Sequence, residues 1–290
     1  MEKLISIVGL TSSGKSSLGI ELATRFGGEI VSADSRQVYK NLDWCSGKVS
    51  KEEQALVKHH LLDVVDLGTQ FTLYDFQKQA YQAIDDIISR KKIPFMVGGT
   101  GLYSRSVVEG YNLVEQKPNA ELRQHLESLQ TEELLKLCQE LNVKVEGEIT
   151  KRRLVRLVEV AKTEKAPNKP RYNVLQIGVK WSREEIYERI RLRLEARMPN
   201  MIQEIKTLLE RGEDENFLKS LGLEAKFVTN YLQGKFSSYE EFFEELFKEE
   251  RHFAKRQNTW YNKENNIIWL EAKDNLIENA TKLVQEFLAE

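Results

Sequence analysis

Eight consecutive residues near the start of the chain match the spacing of a phosphate-binding loop, G-x-x-x-x-G-K-[ST]. They are Gly9, Leu10, Thr11, Ser12, Ser13, Gly14, Lys15 and Ser16. The glycines allow successive backbone N–H groups to face an anion, and a helix that begins near Lys15 adds the positive end of its dipole. Lys15 supplies a full positive charge, and Ser16 has the hydroxyl that usually binds Mg²⁺ beside phosphates. The loop therefore predicts a site for a polyphosphate or pyrophosphate.

A carboxylate follows the second strand-like segment of the chain. Asp34 lies in the polar loop after the short strand expected at residues 29–31. It could bind Mg²⁺, act as a base, or cap the next turn, and its position alone does not decide among the three. The strand expected at residues 93–97 ends in Gly98 and Gly99, whereas P-loop NTPases hold Mg²⁺ with an acidic residue at the end of such a strand. This difference argues against ATP hydrolysis.

Two segments are rich in basic residues. Residues 150–172 contain eight cationic and two anionic side chains, in a chain whose net charge is −2. A solvated helix face would give the same run, but the contrast with the whole chain favours a polyanion partner. Residues 251–263 combine Lys and Arg with three aromatic rings. Such a mixture suits RNA, because rings stack on unpaired bases, although helical spacing would equally place the rings in a core.

Three arginines, Arg189, Arg193 and Arg197, are spaced four residues apart and therefore share one face of a helix. Surface arginines are the commoner explanation of this pattern. If the helix begins at the edge of the sheet where ligands bind, one of them could bind the far side of a pyrophosphate. His59 and His60 lack a Cys or acidic partner at metal-ligand spacing, so we expect a structural role for both.

Strand-like and helix-like segments alternate over the first hundred residues. This predicts an α/β fold of the P-loop NTPase-like type, a parallel sheet with helices on both faces. Residues 72–90 form an amphipathic helix opened by the capping-box residues Thr72 and Asp75. The pattern of residues 117–163 is helical throughout, which predicts an inserted all-helical subdomain. Residues 1–116 and 164–290 would then form the catalytic core with the C-terminal helices.

The composition is that of a globular protein. The chain has 290 residues, of which 41% are hydrophobic and 30% charged. Cys45 and Cys138 have neither pair spacing nor metal-ligand spacing, so we expect no disulfide framework and no zinc site. No apolar run approaches the ~18 residues of a membrane span and no signal peptide is visible, so we expect a cytoplasmic protein with no membrane partner.

Seven segments in order make the chain similar to the tRNA dimethylallyltransferases, also called tRNA isopentenyltransferases, in their bacterial form. They are GLTSSGKSS at 9–17, SADSRQVYKNLD at 32–43, HHLLDVVD at 59–66, FTLYDF at 71–76, PFMVGGTGLY at 94–103, RRLVRLVEV at 152–160 and AKRQNTWY at 254–261. The resemblance implies transfer of a dimethylallyl group from its diphosphate to N6 of adenosine 37, beside the tRNA anticodon. It also implies Mg²⁺ as cofactor and a monomer as the acting form.

The resemblance implies a role for individual residues as well. Asp34 would be the general base, while Lys15, Thr11, Arg193 and a Mg²⁺ held by Ser16 would stabilise the leaving diphosphate. The positions implied to bind the anticodon stem-loop are Asp34, Ser35, Arg36, Gln37, Thr100, Arg123, Arg152, Arg153, Arg156, Lys255, Arg256, Gln257, Thr259 and Trp260. Two departures from the family pattern stand out: Leu10 and Ser12 replace Pro and Ala in the phosphate loop, and Ile149-Thr150 replaces an Asn-Asp pair before the Arg-x-x-Arg of the insert.

Three other functions remain open from the sequence. An adenylate isopentenyltransferase would share the phosphate loop and the base but would have no use for the basic segments. A P-loop small-molecule kinase would bind ATP and release ADP. An RNA-binding protein with a degenerate phosphate loop would not need Asp34.

Overall fold

A six-stranded parallel β-sheet organises the larger of two units of the chain, as the alternating sequence pattern predicts. The computed structural model describes residues 1–113, 120–145, 149–161, 167–273 and 275–290. The strands are β1 Lys3–Gly9, β2 Glu29–Ser32, β3 His59–His60, β4 Pro94–Val97, β5 Asn173–Lys180 and β6 Ile267–Glu271. Their order across the sheet is β3-β2-β4-β1-β5-β6.

The register of the strands brings the loops of interest to one edge. Ile7 of β1 lies opposite Val97 of β4, and Gly9 lies opposite Val179 of β5. Ser32 of β2 also lies opposite Val97. The loops that follow β1, β2 and β4 therefore leave the sheet side by side at its carboxyl edge, where ligands bind in open parallel sheets.

Twelve helices are described. They are α1 Lys15–Arg25, α2 Lys51–Leu56, α3 Leu73–Ser89, α4 Gly101–Val108, α5 Ala120–Ser128, α6 Thr131–Glu140, α7 Lys151–Glu159, α8 Arg183–Glu210, α9 Glu215–Ser220, α10 Leu223–Leu232, α11 Tyr239–Tyr261 and α12 Leu276–Ala289. The start of α3 confirms the capping box, because the Thr72 side chain accepts from the Asp75 N–H and the Asp75 carboxylate accepts from the Thr72 N–H. Ser182 and Glu185 cap α8 in the same way. No described helix is both long and apolar enough to cross a membrane.

Side chains of β1 point alternately to two apolar layers. Ile5 and Ile7 pack with α1 and α12, whereas Leu4 packs with α3 and α4 on the other face. A third layer, formed by α8, α10 and α11 with the chain around Leu42, builds a separate apolar core beside the sheet. This third core supports α8 and α11, which supply the side chains that reach the phosphate loop.

The edge strand β3 holds the two histidines. His60 Nε2 lies 2.7 Å from the carboxylate of Glu29, a residue with 1% exposure that also binds Arg90 and Lys92. These hydrogen bonds, that of Arg90 first, hold the pKa of Glu29 well below its usual range despite burial. Both histidines therefore have a structural place in the sheet, and the two-residue strand that they form was too short to predict.

The second unit, Tyr111–Lys169, contains α5, α6 and α7. It has its own small apolar core, built around Leu126, Leu134, Cys138 and Leu154. Its described residues contain helices and no strand. The boundaries expected at residues 117 and 163 lie outside the described residues, so they stay predictions.

Candidate active site

The phosphate loop is held from outside by side chains that bind its carbonyl groups. Trp181 Nε1 donates to the Ser13 carbonyl at 2.8 Å, and Arg189 Nε donates to the Ser12 carbonyl at 2.8 Å. Ser12 has a φ of +59°, and Gly14 caps α1 in the left-handed conformation. Because the bound carbonyls fix the orientation of the peptide planes, they also fix the direction of the N–H groups that an anion would contact.

Lys15 begins α1 beside this loop. Its Nζ donates to the Leu10 carbonyl at 3.1 Å. The pKa of Lys15 is lowered to about 8, because burial removes water from the ammonium and the Arg193 guanidinium lies nearby, an effect that Asp34 partly offsets. An anion bound beside the ammonium would favour its charged form and so oppose this lowering of the pKa.

The three arginines spaced four residues apart on α8 turn toward the loops rather than away from the protein. Arg189 binds Ser12 as described above and stacks 4.3 Å from the Trp181 ring. Arg193 Nη1 donates to Thr11 Oγ1 at 3.2 Å. Arg197 is 9% exposed and donates to the carbonyl of Trp44. The interpretation of this pattern as surface arginines is therefore wrong, since each guanidinium has a partner at the edge of the sheet.

Two carboxyl groups lie behind these arginines. Glu224 Oε1 is 3.7 Å from Arg197 Nη1, and Glu250 is 4% exposed. Burial and the neighbouring Glu224 raise the pKa of Glu250, while Arg193 and Arg197 oppose this rise. Burial and Arg197 in turn lower the pKa of the Arg193 guanidinium. Arg193 thus lies among other charged side chains, with Thr11 as a hydrogen-bond partner.

A loop at residues 43–47 covers the arginines. Glu204 of α8 accepts from three successive backbone N–H groups of this loop, at 2.6, 2.8 and 2.8 Å. Gly47, with a φ of +59°, faces the guanidinium of Arg193 so closely that a Cβ there would overlap its Nη2. Position 47 therefore needs glycine both for its backbone conformation and for the space that Arg193 occupies.

Asp34 and Thr100 lie at the ends of neighbouring strands. A Cβ on Gly98 would overlap the backbone of Ala33, so glycine there lets the two loops touch. Thr100 Oγ1 accepts from the Ser35 N–H at 3.1 Å, and Asp34 Oδ1 accepts from the Arg36 N–H at 2.9 Å. Asp34 also acts electrostatically on both Lys15 and Arg193. The loop of Asp34 therefore lies at the same edge of the sheet as the phosphate loop.

A cavity of about 730 Å³ opens on one side of these cations. It is lined by residues 12–17, which include Lys15, and by residues 43, 44 and 47–54. Arg189 and Arg193 of α8 also line it. Thr11 and Asp34 lie outside this lining. The phosphate loop is thus open to a ligand from the side of the cavity.

Ser16 lines the cavity in the first turn of α1. No group of three or more His, Cys, Asp or Glu side chains within the described residues could hold a metal ion by itself. A Mg²⁺ ion here would take Ser16 as a protein ligand and the remaining oxygens from phosphate and water, which is how this ion is commonly bound at phosphate sites. The residues present fit such a site.

In the larger unit, some of the residues expected to bind RNA are exposed and others are buried or half-buried. Lys255, Arg256 and Thr259 are exposed on α11. Gln257 and Tyr261 of the same helix are buried, and Trp260 packs against Gly101. Gln37 is half-buried and its amide bonds to Ser32 Oγ and to the Gly47 carbonyl. The three aromatic rings of the basic segment 251–263 therefore differ in exposure: Phe253 is exposed, Trp260 is half-buried and Tyr261 is in the core.

In the smaller unit, three of the residues expected to bind RNA share one face of α7. Arg152, Arg153 and Arg156 are exposed, whereas Leu154 and Val155 are buried. Thr150 caps this helix by accepting from the Arg153 N–H at 3.3 Å. Arg123 of α5 binds Glu159 at 2.7 Å with two nitrogens. Lys162 and Lys165 of the basic segment lie outside the described residues.

The sequence and the fold of this chain are similar to those of known proteins. A sequence model of the family described as IPP transferase matches residues 37–264, and one described as isopentenyl transferase matches residues 2–68. The chain belongs to the IPP transferase family. tRNA dimethylallyltransferase 2 of Treponema denticola is 43% identical over 270 residues, covering 89% of this chain and 90% of that protein.

Two solved structures extend the likeness of this IPP transferase family member to the fold. A tRNA isopentenylpyrophosphate transferase from Bacillus halodurans is 32% identical, with a TM-score of 0.75 over 100% of this chain and 96% of that one. A eukaryotic dimethylallyltransferase acting on tRNA is 25% identical, with a TM-score of 0.81 over 100% of this chain and 80% of that one. The resemblance seen in the sequence is therefore confirmed.

Several contacts of the site carry no signal in the sequence. Trp181 and Glu204 support the phosphate loop and the 43–47 loop, and the arginine pattern that includes Arg197 does not indicate its contact with Trp44. Their partners lie more than 130 residues away in the chain, so neither motif nor spacing relates them. Only Gly47, as a glycine in a polar loop, offered a local hint.

Proposed function

We propose that the protein transfers a dimethylallyl group from dimethylallyl diphosphate to N6 of adenosine 37 in tRNA. The observation that carries the proposal is that Arg193 binds Thr11 of the phosphate loop at 3.2 Å, while Thr100, which follows Gly99 beside Lys15, binds the loop of Asp34 at 3.1 Å. A carboxylate that can accept a proton and two cations that can hold a diphosphate are thus carried by adjoining loops. Membership of the IPP transferase family supports assigning this arrangement to prenyl transfer.

The donor would bind with its diphosphate on the phosphate loop. The backbone N–H groups of residues 12–16, Lys15 and Arg193 would face its oxygens from the cavity side. As the bond between the allylic carbon and oxygen breaks, negative charge grows on the diphosphate, and fixed cations in a buried site stabilise that charge strongly. Mg²⁺, when bound beside Ser16, would add to this neutralisation.

The acceptor would reach the site from the side of Asp34. N6 of adenine forms the new bond to the allylic carbon and gives up a proton, which Asp34 takes as general base. The products are prenylated adenosine and free diphosphate. Because the adenine is stacked in the anticodon loop, it must be turned out of the stack before reaction, at a cost of a few kcal/mol.

Exposed cations would bind the anticodon stem-loop. Lys255 and Arg256 on α11, and Arg152, Arg153 and Arg156 on α7, offer such side chains in each unit, and the exposed Thr259 on α11 adds a hydroxyl that can form hydrogen bonds. The Ser35–Gln37 segment and Thr100 adjoin Asp34 and would contact the target nucleotide. We place the reaction in the cytoplasm, with a single chain bound to each tRNA.

Transfer to a free adenine nucleotide is the second candidate function, because residues 2–68 match the isopentenyl transferase model. Incubating the protein with dimethylallyl diphosphate and either tRNA or AMP, ADP and ATP separates the two. Nucleoside analysis should find prenylated adenosine in the tRNA. Modification of AMP alone would overturn the proposal, and conversion of ATP to ADP without use of the prenyl donor would instead indicate a kinase.

A further inference from the structure

Gln257 is a buried amide whose two polar atoms join two loops of the site. The residue is 8% exposed on the inner face of α11. Its Oε1 accepts from the Thr11 N–H at 2.8 Å, and its Nε2 donates to the Gly99 carbonyl at 3.0 Å. These partners lie 246 and 158 residues away in the chain.

The first of these loops belongs to the diphosphate side. Thr11 precedes the loop residues that line the cavity, and its hydroxyl accepts from Arg193 at 3.2 Å. Its N–H is fixed by Gln257, so the peptide that carries this hydroxyl is held at both ends. Movement of Gln257 would therefore move the Thr11 hydroxyl relative to Arg193.

The second loop belongs to the side of the base. Gly99 precedes Thr100, whose Oγ1 accepts from the Ser35 N–H beside Asp34. Gly99 also lies close to Lys15, since a Cβ at position 99 would be 3.3 Å from the Lys15 Nζ. The carbonyl that Gln257 binds is thus one peptide from the residue that binds the loop of Asp34.

We infer that Gln257 is a positioning residue that sets the separation between the diphosphate-binding loop and the loop of the general base. The inference rests on the proposed function, since it needs those two groups to react across that gap. Rates of transfer fall steeply when the reacting groups move apart by about an ångström, so one amide that spans both loops has a large effect without touching substrate.

The same contacts argue against Gln257 as an RNA ligand. Both ends of its amide are already bonded inside the protein, and a bond to a base would leave the Thr11 N–H or the Gly99 carbonyl buried without its partner. Its neighbours Lys255, Arg256 and Thr259 are exposed instead. The outer face of α11 therefore carries the side chains that would bind RNA. Its inner face carries Gln257, which joins the diphosphate-binding loop to the loop that adjoins Asp34.

The test compares Gln257→Ala and Gln257→Met with Gln203→Ala, in which an exposed glutamine of α8 is replaced. Single-turnover transfer at saturating tRNA and dimethylallyl diphosphate gives the chemical step, and filter binding gives the Kd for the same tRNA. We expect both Gln257 variants to lose about 10- to 100-fold in the single-turnover rate with a Kd within twofold of wild type. Gln203→Ala should match wild type in both.

Three results would overturn the inference. A tRNA Kd weakened tenfold with an unchanged rate at saturation would make Gln257 an RNA ligand. Unchanged rate and Kd would leave it no role. If Gln257→Ala loses its cooperative thermal transition, the volume-conserving Gln257→Met alone decides, and normal transfer by Gln257→Met would count against the inference. Absence of transfer by the wild-type protein would instead overturn the proposed function.

Discussion

Arg193 Nη1 donates to Thr11 Oγ1 at 3.2 Å, joining the middle of α8 to the phosphate loop across 182 positions of sequence. Arg193 and Lys15 both line the cavity beside this loop. A diphosphate bound there would therefore have a guanidinium and an ammonium to contact. The contact therefore explains how a loop shared by many nucleotide-binding proteins can hold a leaving group.

Replacing Arg193 should slow chemistry more than binding. Arg193→Ala removes a buried cation from the place where charge develops, so we expect the single-turnover rate to fall by about 10²- to 10³-fold. The Kd for tRNA should stay within twofold. Arg191→Ala, two positions earlier on α8, is the matched control, because Arg191 faces Glu244 and the Phe247 ring. Equal losses in the two variants would contradict the role of Arg193.

Removing the Asp34 carboxylate should abolish transfer while tRNA still binds. Asp34→Asn keeps the size of the side chain but cannot take the proton from N6, and general-base catalysis is worth about 10²- to 10⁴-fold. Nucleoside analysis of tRNA and a gel-shift titration measure the two effects. Asp66→Asn, at an exposed carboxylate paired with Lys40, should behave as wild type. Full transfer by Asp34→Asn would rule out Asp34 as the base.

Diphosphate binding should weaken as pH rises through about 8. The pKa of Lys15 in the free protein is about 8, so its ammonium is charged below that pH and neutral above it. An anion favours the charged form, and therefore binding near pH 8 should also take up a proton. Calorimetry of inorganic diphosphate from about pH 7 to about pH 9.5, in buffers of different ionisation enthalpy, measures both effects of this titration.

Lys15→Arg provides the control for titration of the ligand itself. A guanidinium stays charged over this range, so the variant should show only the pH dependence of the diphosphate. The same slope in both proteins would show that Lys15 does not titrate in this range.

Gly47→Ala should impair Arg193 in addition to the small loss of stability that it shares with Gly27→Ala. The added Cβ would overlap the guanidinium, which must move, while the left-handed backbone costs about 1–2 kcal/mol. Gly27→Ala is a matched control, since Gly27 has a φ of +63° with nothing within 4 Å of a Cβ. We expect similar melting temperatures for the two variants but slower transfer only for Gly47→Ala. Transfer at the wild-type rate by Gly47→Ala would show that Arg193 tolerates displacement.

The basic face of α7 should contribute to RNA affinity through phosphates. Replacing Arg152 and Arg153 by Gln should weaken tRNA binding and reduce the slope of log K against log salt concentration by about 0.7 to 0.9 for each phosphate that the variant no longer neutralises. Lys136→Gln, at an exposed lysine of α6, is the control from the same unit. An unchanged slope would show that α7 does not bind phosphate groups of the tRNA.

The parts of the site that depend on local sequence were predictable. The phosphate loop, the capping boxes at Thr72 and Ser182 and the loop of Asp34 each depend on residues within a few positions of one another. The resemblance to a family also selected Arg193 from three equivalent arginines. Spacing alone could not, because all three share one face of α8.

Contacts between distant segments could not be predicted from this one sequence. Gln257 belongs to a basic, aromatic segment that resembles an RNA-binding stretch, yet its amide lies inside the protein. Glu204 is one acidic residue among several on α8, and only the folded chain shows that its carboxylate gathers three backbone N–H groups. Tertiary packing decided which members of each polar run face inward.

The support of the phosphate loop has a consequence for synthesis of the chain. Residues 9–16 leave the ribosome before residues 181–257, whose side chains fix them. The nascent chain therefore carries an unsupported anion-binding loop until α11 has emerged, and β1 lacks its neighbour β5 for most of that time. Long-range contacts of this kind slow folding. Diphosphate should accordingly stabilise the nascent chain only after α11 has been synthesised.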